Sequence, residues 1–193
     1  MSRWITKIGI ICLLAGCGER TFTVDEFVEH VKSEKNKYKL STESEILNYT
    51  VQFKPVEYVV LSEAGEEALT IDLFNAQKEE LKDYYYFDFV LSGKSSNDLL
   101  NEFQLKDQEL MHYLSFDAKN EFSLVSKTDT IFPELCHYEK SLFGEFRFSL
   151  LYQKPQENTD LTFIFNDLLT GYGPVKFHYG KEILNHSPQL NLN

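Results

Sequence analysis

The sequence contains few cysteines, and this scarcity limits how the fold can be held together. Only three occur in 193 residues, at positions 12, 17 and 136. The first two lie in an apolar N-terminal segment, so Cys136 is alone in the rest of the chain and an internal disulfide there is excluded. Cys136 is either a reactive thiol assisted by His137 or a small apolar core residue. The second interpretation is favoured, because adjacent residues on a strand point to opposite faces.

Basic residues are also in short supply. The chain has 19 basic against 30 acidic residues and a formal net charge of −11. We expect no nucleic-acid partner, because phosphate backbones are bound by clustered Lys and Arg. Anionic lipid would likewise repel such an acidic body, which favours a tether over surface adsorption.

Motifs with a known catalytic or metal-binding mechanism are missing. The sequence has no His-Glu-x-x-His spacing, no Asp-x-Asp-x-Asp-Gly loop, no Gly-x-Ser-x-Gly elbow and no glycine-rich phosphate loop. His178 and His186 could meet across a turn, but no third ligand is evident. We therefore predict no enzyme activity, no cofactor and no metal site.

The N-terminal apolar run is too short to span a membrane. Residues 8–14 are apolar, whereas a spanning helix needs roughly 20 such residues. Arg3 and Lys7 come before or at the start of this run, and the small residues Ala15 and Gly16 follow it. This order is typical of a secretory signal peptide.

The end of that segment resembles a bacterial lipoprotein signal. Leu14-Ala15-Gly16-Cys17 matches the lipobox at every position. The resemblance implies cleavage before Cys17, acylation of its sulfur and new amine, and a stable anchor, since two or more acyl chains hold firmly. Gly18 stands where Asp tends to retain lipoproteins at the inner membrane, so it also implies an outer-membrane location, on either face. Residues 1–16 would be the signal peptide and residues 17–22 the lipidated tether.

The rest of the chain is only loosely similar to uncharacterised envelope lipoproteins. We predict a single mainly-β domain over residues 23–187 and a frayed tail over residues 188–193. Thr23 and Glu26 form a capping-box pattern at the start of an amphipathic helix, which we expect to end near residues 35–37.

Apolar residues that alternate with polar ones predict about eight short strands. The predicted strands cover residues 47–53, 56–61, 84–91, 110–116, 122–125, 145–153, 161–165 and 175–179. Residues 66–82 fit either helix or strand, and residues 128–138 are predicted to cross the domain. With no βα alternation, the pattern favours an antiparallel β-sandwich (Ig-like or related) or a barrel, with one or two flanking helices.

Two stretches are candidate binding surfaces. The loop over residues 166–174 presents Asn166, Asp167 and Tyr172, and binding residues often lie on loops held by a rigid scaffold. A simple hairpin connection is the alternative and is favoured. Tyr84 and Tyr86 face away from the predicted core, where they would either contact a sugar or protein or be covered by a helix.

These observations favour a non-catalytic accessory or protein-binding module of the bacterial cell envelope. It would bind the membrane through its lipid anchor and also bind another envelope protein. One alternative is a carrier for a glycan or lipid with an aromatic-lined cleft between the sheets. Another is an envelope hydrolase whose carboxylate pair is hidden in the linear sequence.

Substitution of Cys17 by Ser tests the anchor. We expect the wild-type chain to float with outer-membrane vesicles and the C17S chain to move to the soluble fraction, because each buried methylene contributes about 0.8 kcal/mol. Density-gradient flotation of cell envelopes measures the difference. Equal flotation of the two chains would rule out the anchor.

Overall fold

A computed structural model describes residues 21–64, 69–94, 107–140 and 144–192. The predicted signal peptide, Cys17 and the first part of the tether lie outside these residues.

The described residues form two antiparallel sheets and one short parallel pair. The five-stranded sheet has the order β2-β3-β4-β8-β7, the four-stranded sheet has the order β10-β9-β5-β6, and β1 pairs with β11. The strands are β1 (Thr21–Phe22), β2 (Lys39–Glu43), β3 (Leu47–Lys54), β4 (Tyr84–Gly93), β5 (Phe122–Val125), β6 (Thr130–Ile131), β7 (Leu135–Lys140), β8 (Phe146–Gln153), β9 (Leu161–Asp167), β10 (Gly173–Tyr179) and β11 (Gln189–Leu190).

Helical segments connect these strands. The α-helices of the described residues are α1 (Val24–Lys32), α2 (Val56–Ala64), α3 (Ile71–Leu81), α4 (Asp107–His112) and α5 (Lys181–Asn185). The predicted capping box of α1 is confirmed. Thr23 Oγ1 accepts from the backbone N–H of Glu26 at 3.3 Å, and Glu26 Oε2 accepts from the backbone N–H of Thr23 at 3.0 Å. The α-helix ends at Lys32, and a 3-10 turn follows over Glu34–Asn36.

Aromatic side chains fill the space between the two sheets. Successive residues of β3, β4, β8 and β9 alternate between buried and partly or fully exposed positions, as the period of two predicts. Phe89 of β4 packs against Phe165 of β9 with ring centroids 4.8 Å apart, and against Phe122 of β5 at 5.2 Å. Rings from one sheet thus lie on rings from the other, and the predicted sandwich is confirmed.

Helices cover part of the outer face of the five-stranded sheet. Gln52 Nε2, on the outer face of β3, donates to the backbone carbonyl of Val31 in α1 at 3.5 Å. Helix α2 contacts β4, α1 and α3. The five-stranded sheet is therefore a middle layer, with the four-stranded sheet on one side and helices on the other.

The strand prediction for residues 56–61 is wrong, because this segment is α2. Its apolar run resembles a buried strand, but Val59 and Val60 are adjacent and both buried, which a strand with one buried face does not allow. Pro55, directly before the helix, lacks an N–H group and therefore loses no hydrogen bond there. The ambiguous stretch 66–82 contains α3, which Thr70 caps; residues 65–68 lie outside the described ranges.

The strand prediction for residues 110–116 is also wrong. These residues belong to α4 and to a π-helical turn over Tyr113–Asp117, and Leu110 and Leu114 are buried on one helical face. The predicted strand over residues 122–125 is confirmed as β5. The predicted crossing over residues 128–138 is also found, since β6 belongs to the four-stranded sheet and β7 to the five-stranded sheet.

Part of the predicted frayed tail is instead paired. β11 lies parallel to β1, with Thr21 opposite Gln189 and Phe22 opposite Leu190. The backbone N–H of Asn191 also donates to the carbonyl of Phe22 at 2.8 Å. Ladder hydrogen bonds therefore order a polar segment that has no periodicity of its own. In the described part of the chain, no helix is long and apolar enough to cross a membrane.

Replacement of Phe89 by Ala tests the aromatic core. Phe89 is fully buried and Phe132 is 60% exposed. We expect F89A to lower the free energy of unfolding by about 3–5 kcal/mol, because the vacated space between the sheets cannot close fully. F132A, the matched control, should stay within about 0.5 kcal/mol of wild type. Urea denaturation followed by circular dichroism measures both values, and equal losses would contradict this account of the core.

Candidate functional site

The predicted binding loop connects β9 to β10 at one end of the sandwich. Asn166 and Asp167 are the last two residues of β9, and Tyr172 immediately precedes β10. Gly171 and Gly173 have φ angles of 71° and 89°, in the left-handed region that glycine adopts without steric cost. The loop is thus a tight turn between neighbouring strands, as the favoured hairpin interpretation predicts.

Asp167 is buried at the base of this loop and makes only internal contacts. Its Oδ2 accepts from the Tyr49 hydroxyl and from Thr170 Oγ1, each at 2.5 Å, and its Oδ1 accepts from the backbone N–H of Thr170 at 3.0 Å. Tyr49 belongs to β3 of the other sheet. The carboxylate therefore links the two sheets, and it is not accessible to a ligand.

The surroundings of Tyr49 complete this buried polar network. Ser44 Oγ lies 3.4 Å from the Tyr49 hydroxyl and accepts from the backbone N–H of Leu47 at 3.1 Å. Burial raises the pKa of Tyr49 to about 12, and the hydrogen bond to Asp167 acts in the same direction. Tyr49 is therefore a neutral donor at physiological pH, which suits its position opposite a carboxylate.

Three large apolar side chains are exposed at this end. Tyr172 is 55% exposed and stacks on Tyr49 with ring centroids 6.0 Å apart, while Leu168 is 58% exposed. Ile46, in the turn between β2 and β3 next to Leu47, is 43% exposed. We call Ile46, Leu168 and Tyr172 the apolar tip. Of the three predicted loop residues, only Tyr172 is well exposed, because Asp167 is buried and Asn166 is half-buried and donates to Glu121 at 3.0 Å.

Sequence reasoning missed two members of the apolar tip. Leu168 lies in the loop that the sequence indicates, and an apolar residue in an exposed turn is the signal that identifies it. Ile46 comes from a separate turn, and only the fold places it at the same end of the sandwich.

The opposite end of the sandwich contains a cleft. It has a volume of about 390 Å³ and lies where β3 ends and β4 begins. Four lysines line it, Lys54, Lys78, Lys82 and Lys154, together with Glu57 and with the apolar or aromatic residues Phe53, Tyr84, Tyr85, Ile183 and Leu184. We call it the lysine cleft. The carrier hypothesis placed its aromatic-lined cleft between the sheets. That space is instead filled by the fully buried side chains of Phe87, Phe89, Phe122 and Phe163.

Two charged residues that line the lysine cleft form an ion pair with each other. Lys78 Nζ lies 2.8 Å from Glu57 Oε1. Burial alone would raise the pKa of the Glu57 carboxyl, but the hydrogen bond and charge of Lys78, together with hydrogen bonds from the backbone of Glu57 and from Ser187, outweigh it, and the pKa is lowered. Glu57 therefore remains ionised at neutral pH and is already paired.

Cys136 behaves as a half-buried core residue. It lies on β7 and packs against the core, and burial raises the pKa of its thiol to about 11. The reactive thiolate is therefore scarce at neutral pH. His137 is exposed and pairs with Glu139 at 3.4 Å. This geometry supports the core interpretation of Cys136.

Tyr84 and Tyr86 are half-buried on the outer face of β4. Burial raises the pKa of Tyr86 to about 12, and the charges of Glu63 on α2 and Glu80 on α3 act in the same direction. Helices therefore partly cover Tyr86, as the favoured alternative predicts. Tyr84 lines the lysine cleft.

The histidines do not form a metal site in the described part of the chain. No group of three or more His, Cys, Asp or Glu there could hold a metal ion. His178 is exposed on β10, and His186 is one of the residues that line the lysine cleft.

Comparisons with known proteins give little further information. No protein-family model matches the chain, and no curated protein matches it. The crystal structure of a DUF4426 family protein from Pseudomonas aeruginosa PAO1 is similar with a TM-score of 0.38 and 12% identity, covering 74% of this chain and 92% of that chain. We draw no functional conclusion from a likeness of this strength.

Substitution of Tyr49 by Phe tests the link between the sheets. We expect Y49F to lower the free energy of unfolding by about 1–3 kcal/mol, because it leaves a buried carboxylate without one of its donors. Y172F removes the same hydroxyl from an exposed ring and should change stability by less than about 0.5 kcal/mol. Urea denaturation compares the two variants; a Y49F chain as stable as Y172F would show that the Asp167 network does not join the sheets.

Proposed function

We propose that the protein is a lipid-anchored, non-catalytic module of the bacterial outer membrane that binds another envelope protein. The lipobox supports the anchor and the location. The apolar tip supports the partner and is the observation that carries the proposal. The tip lies at one end of the sandwich, where loops project from a rigid scaffold.

The tip has the properties of a small protein-docking surface. Tyr172 presents a large ring whose position is fixed by stacking on Tyr49, so little conformational entropy is lost on binding. Leu168 and Ile46 add exposed apolar surface. The Asp167 network below holds the loop to both sheets, which keeps the tip pre-organised.

A second candidate function is a small-ligand carrier, and the lysine cleft favours it. Its volume of about 390 Å³ falls within the range of roughly 300–1,000 Å³ typical of ligand pockets. Phe53, Tyr84 and Tyr85 give part of its lining an aromatic character. Because β3 begins near the tip and ends at the cleft, the two functions would use opposite ends of the molecule.

Truncation of Tyr172 tests the docking proposal. We expect Y172A to recover about 30-fold less partner than wild type from detergent-solubilised envelopes, because truncating a tyrosine at the centre of an interface costs about 2 kcal/mol. F132A, which shortens an exposed ring on another loop, is the matched control and should recover the wild-type amount. Quantitative mass spectrometry of the captured proteins measures recovery. A single stoichiometric partner captured equally by both variants would place the interface elsewhere.

A further inference from the structure

The lining of the lysine cleft is richer in basic residues than the chain as a whole. Acidic residues outnumber basic ones by 30 to 19 overall, whereas the cleft is lined by four lysines and one glutamate. Lys78 and Lys82 are four residues apart near the C-terminal end of α3, which places them on one face of the helix. Lys54 ends β3 and Lys154 follows β8. Three separate elements of the fold thus bring four ammonium groups to one concave surface.

Three of these lysines have carboxylate partners and one does not. Lys54 pairs with Asp88 at 2.7 Å, Lys78 with Glu57 at 2.8 Å, and Lys82 with Glu79. Lys154 packs its ammonium over the Tyr85 ring, 5.1 Å from the centroid, and forms no ion pair with a carboxylate of the described residues. Asp83 and Glu57 act on it only through longer-range attraction.

Lys154 is therefore a partly dehydrated cation with unused hydrogen-bonding capacity. Burial lowers the pKa of its ammonium, although Asp83 and Glu57 oppose the shift. A lysine ammonium has three donors, and a half-buried one that faces a cleft gains most from an anionic acceptor. An anion there would supply the missing partner.

The first turn of α2 also lines the cleft, and the backbone N–H of Glu57 there is already hydrogen-bonded to the Glu57 carboxylate. Helix α2 has nine residues, and its first two, Val56 and Glu57, line the cleft. The N-terminal N–H groups of a helix carry a partial positive charge, which favours a nearby anion. The pairing of Glu57 with Lys78 leaves this end of the cleft without an uncompensated negative charge.

We propose that the lysine cleft binds a phosphate group, carried either by a soluble phosphorylated compound or by a lipid headgroup. Phosphate oxygens can accept from several lysines at once, and lysine is a common phosphate ligand. The apolar wall of Ile183, Leu184 and Phe53 would contact the organic part of the ligand. This inference specifies the ligand class of the carrier function proposed above and rests on it, but it does not depend on a protein partner.

Calorimetric titration of the purified full-length chain in neutral detergent with inorganic phosphate tests the site. We expect wild type to bind phosphate and Lys154→Gln to bind it about tenfold more weakly, since a charged hydrogen bond is lost. Lys176→Gln removes the same charge from the exposed side of β10 and should bind like wild type. If circular dichroism shows that Lys154→Gln is unfolded, Lys82→Gln takes its place, because the Lys82 side chain is 52% exposed. Lys82→Gln should also bind phosphate more weakly than wild type.

Vesicle flotation distinguishes the two sources of phosphate. The Cys17→Ser chain is mixed with phosphatidylcholine vesicles with and without phosphatidylglycerol, so that acylation cannot cause binding. Binding that requires phosphatidylglycerol and is lost in Lys154→Gln indicates a headgroup ligand. Binding of inorganic phosphate alone, with the same dependence on Lys154, indicates a soluble one.

Two results would overturn the phosphate inference. A separate measurement then shows whether the carrier function fails as well. Wild type that binds neither probe, or binding that Lys154→Gln leaves unchanged, overturns it. Native mass spectrometry of the chain purified from envelopes then decides the broader question. A co-purifying ligand without phosphorus would keep the carrier function and reject only its phosphate chemistry, whereas a chain that carries no ligand would count against both.

Discussion

Contact between the aromatic faces of the two sheets is the constraint on which the rest of this fold depends. With no internal disulfide expected, the folded chain is held by burial, and each Phe or Tyr contributes about 150–250 Å² of buried surface. Phe89 contacts rings on both β5 and β9. These rings fill the space between the sheets. The apolar tip and the lysine cleft therefore lie at the two ends of the sandwich and not inside it.

The sandwich was predictable because the sequence pattern that indicates each strand spans only a few neighbouring residues. A strand with one buried face shows its period of two within a few residues, as β4 and β8 do. Helix α2 was not predictable, because its Val-rich run fits a buried strand equally well. Tertiary contacts with β4 and α3 decide between the two structures. The same applies to β11, which becomes ordered only through β1.

The candidate sites likewise include some features that local sequence predicts and others that only tertiary contacts determine. The glycines predicted a tight loop after β9, and that loop is present. The role of Asp167 could not be predicted, because its partner Tyr49 lies 118 residues earlier in the chain. The lysine cleft was equally hidden. Lys54 and Lys154 come from strand ends far apart in sequence, and only the spacing of Lys78 and Lys82 hints at a shared face.

The pairing of β1 with β11 has a consequence for the order of folding. Phe22 lies near the start of the described residues and Leu190 near their end, so this contact cannot form until the residues between them have been synthesised. A chain exported from its N-terminus would therefore hold β1 without its partner strand while both sheets assemble. Because loop-closure entropy grows only with the logarithm of loop length, joining such distant segments costs little more than closing a much shorter loop.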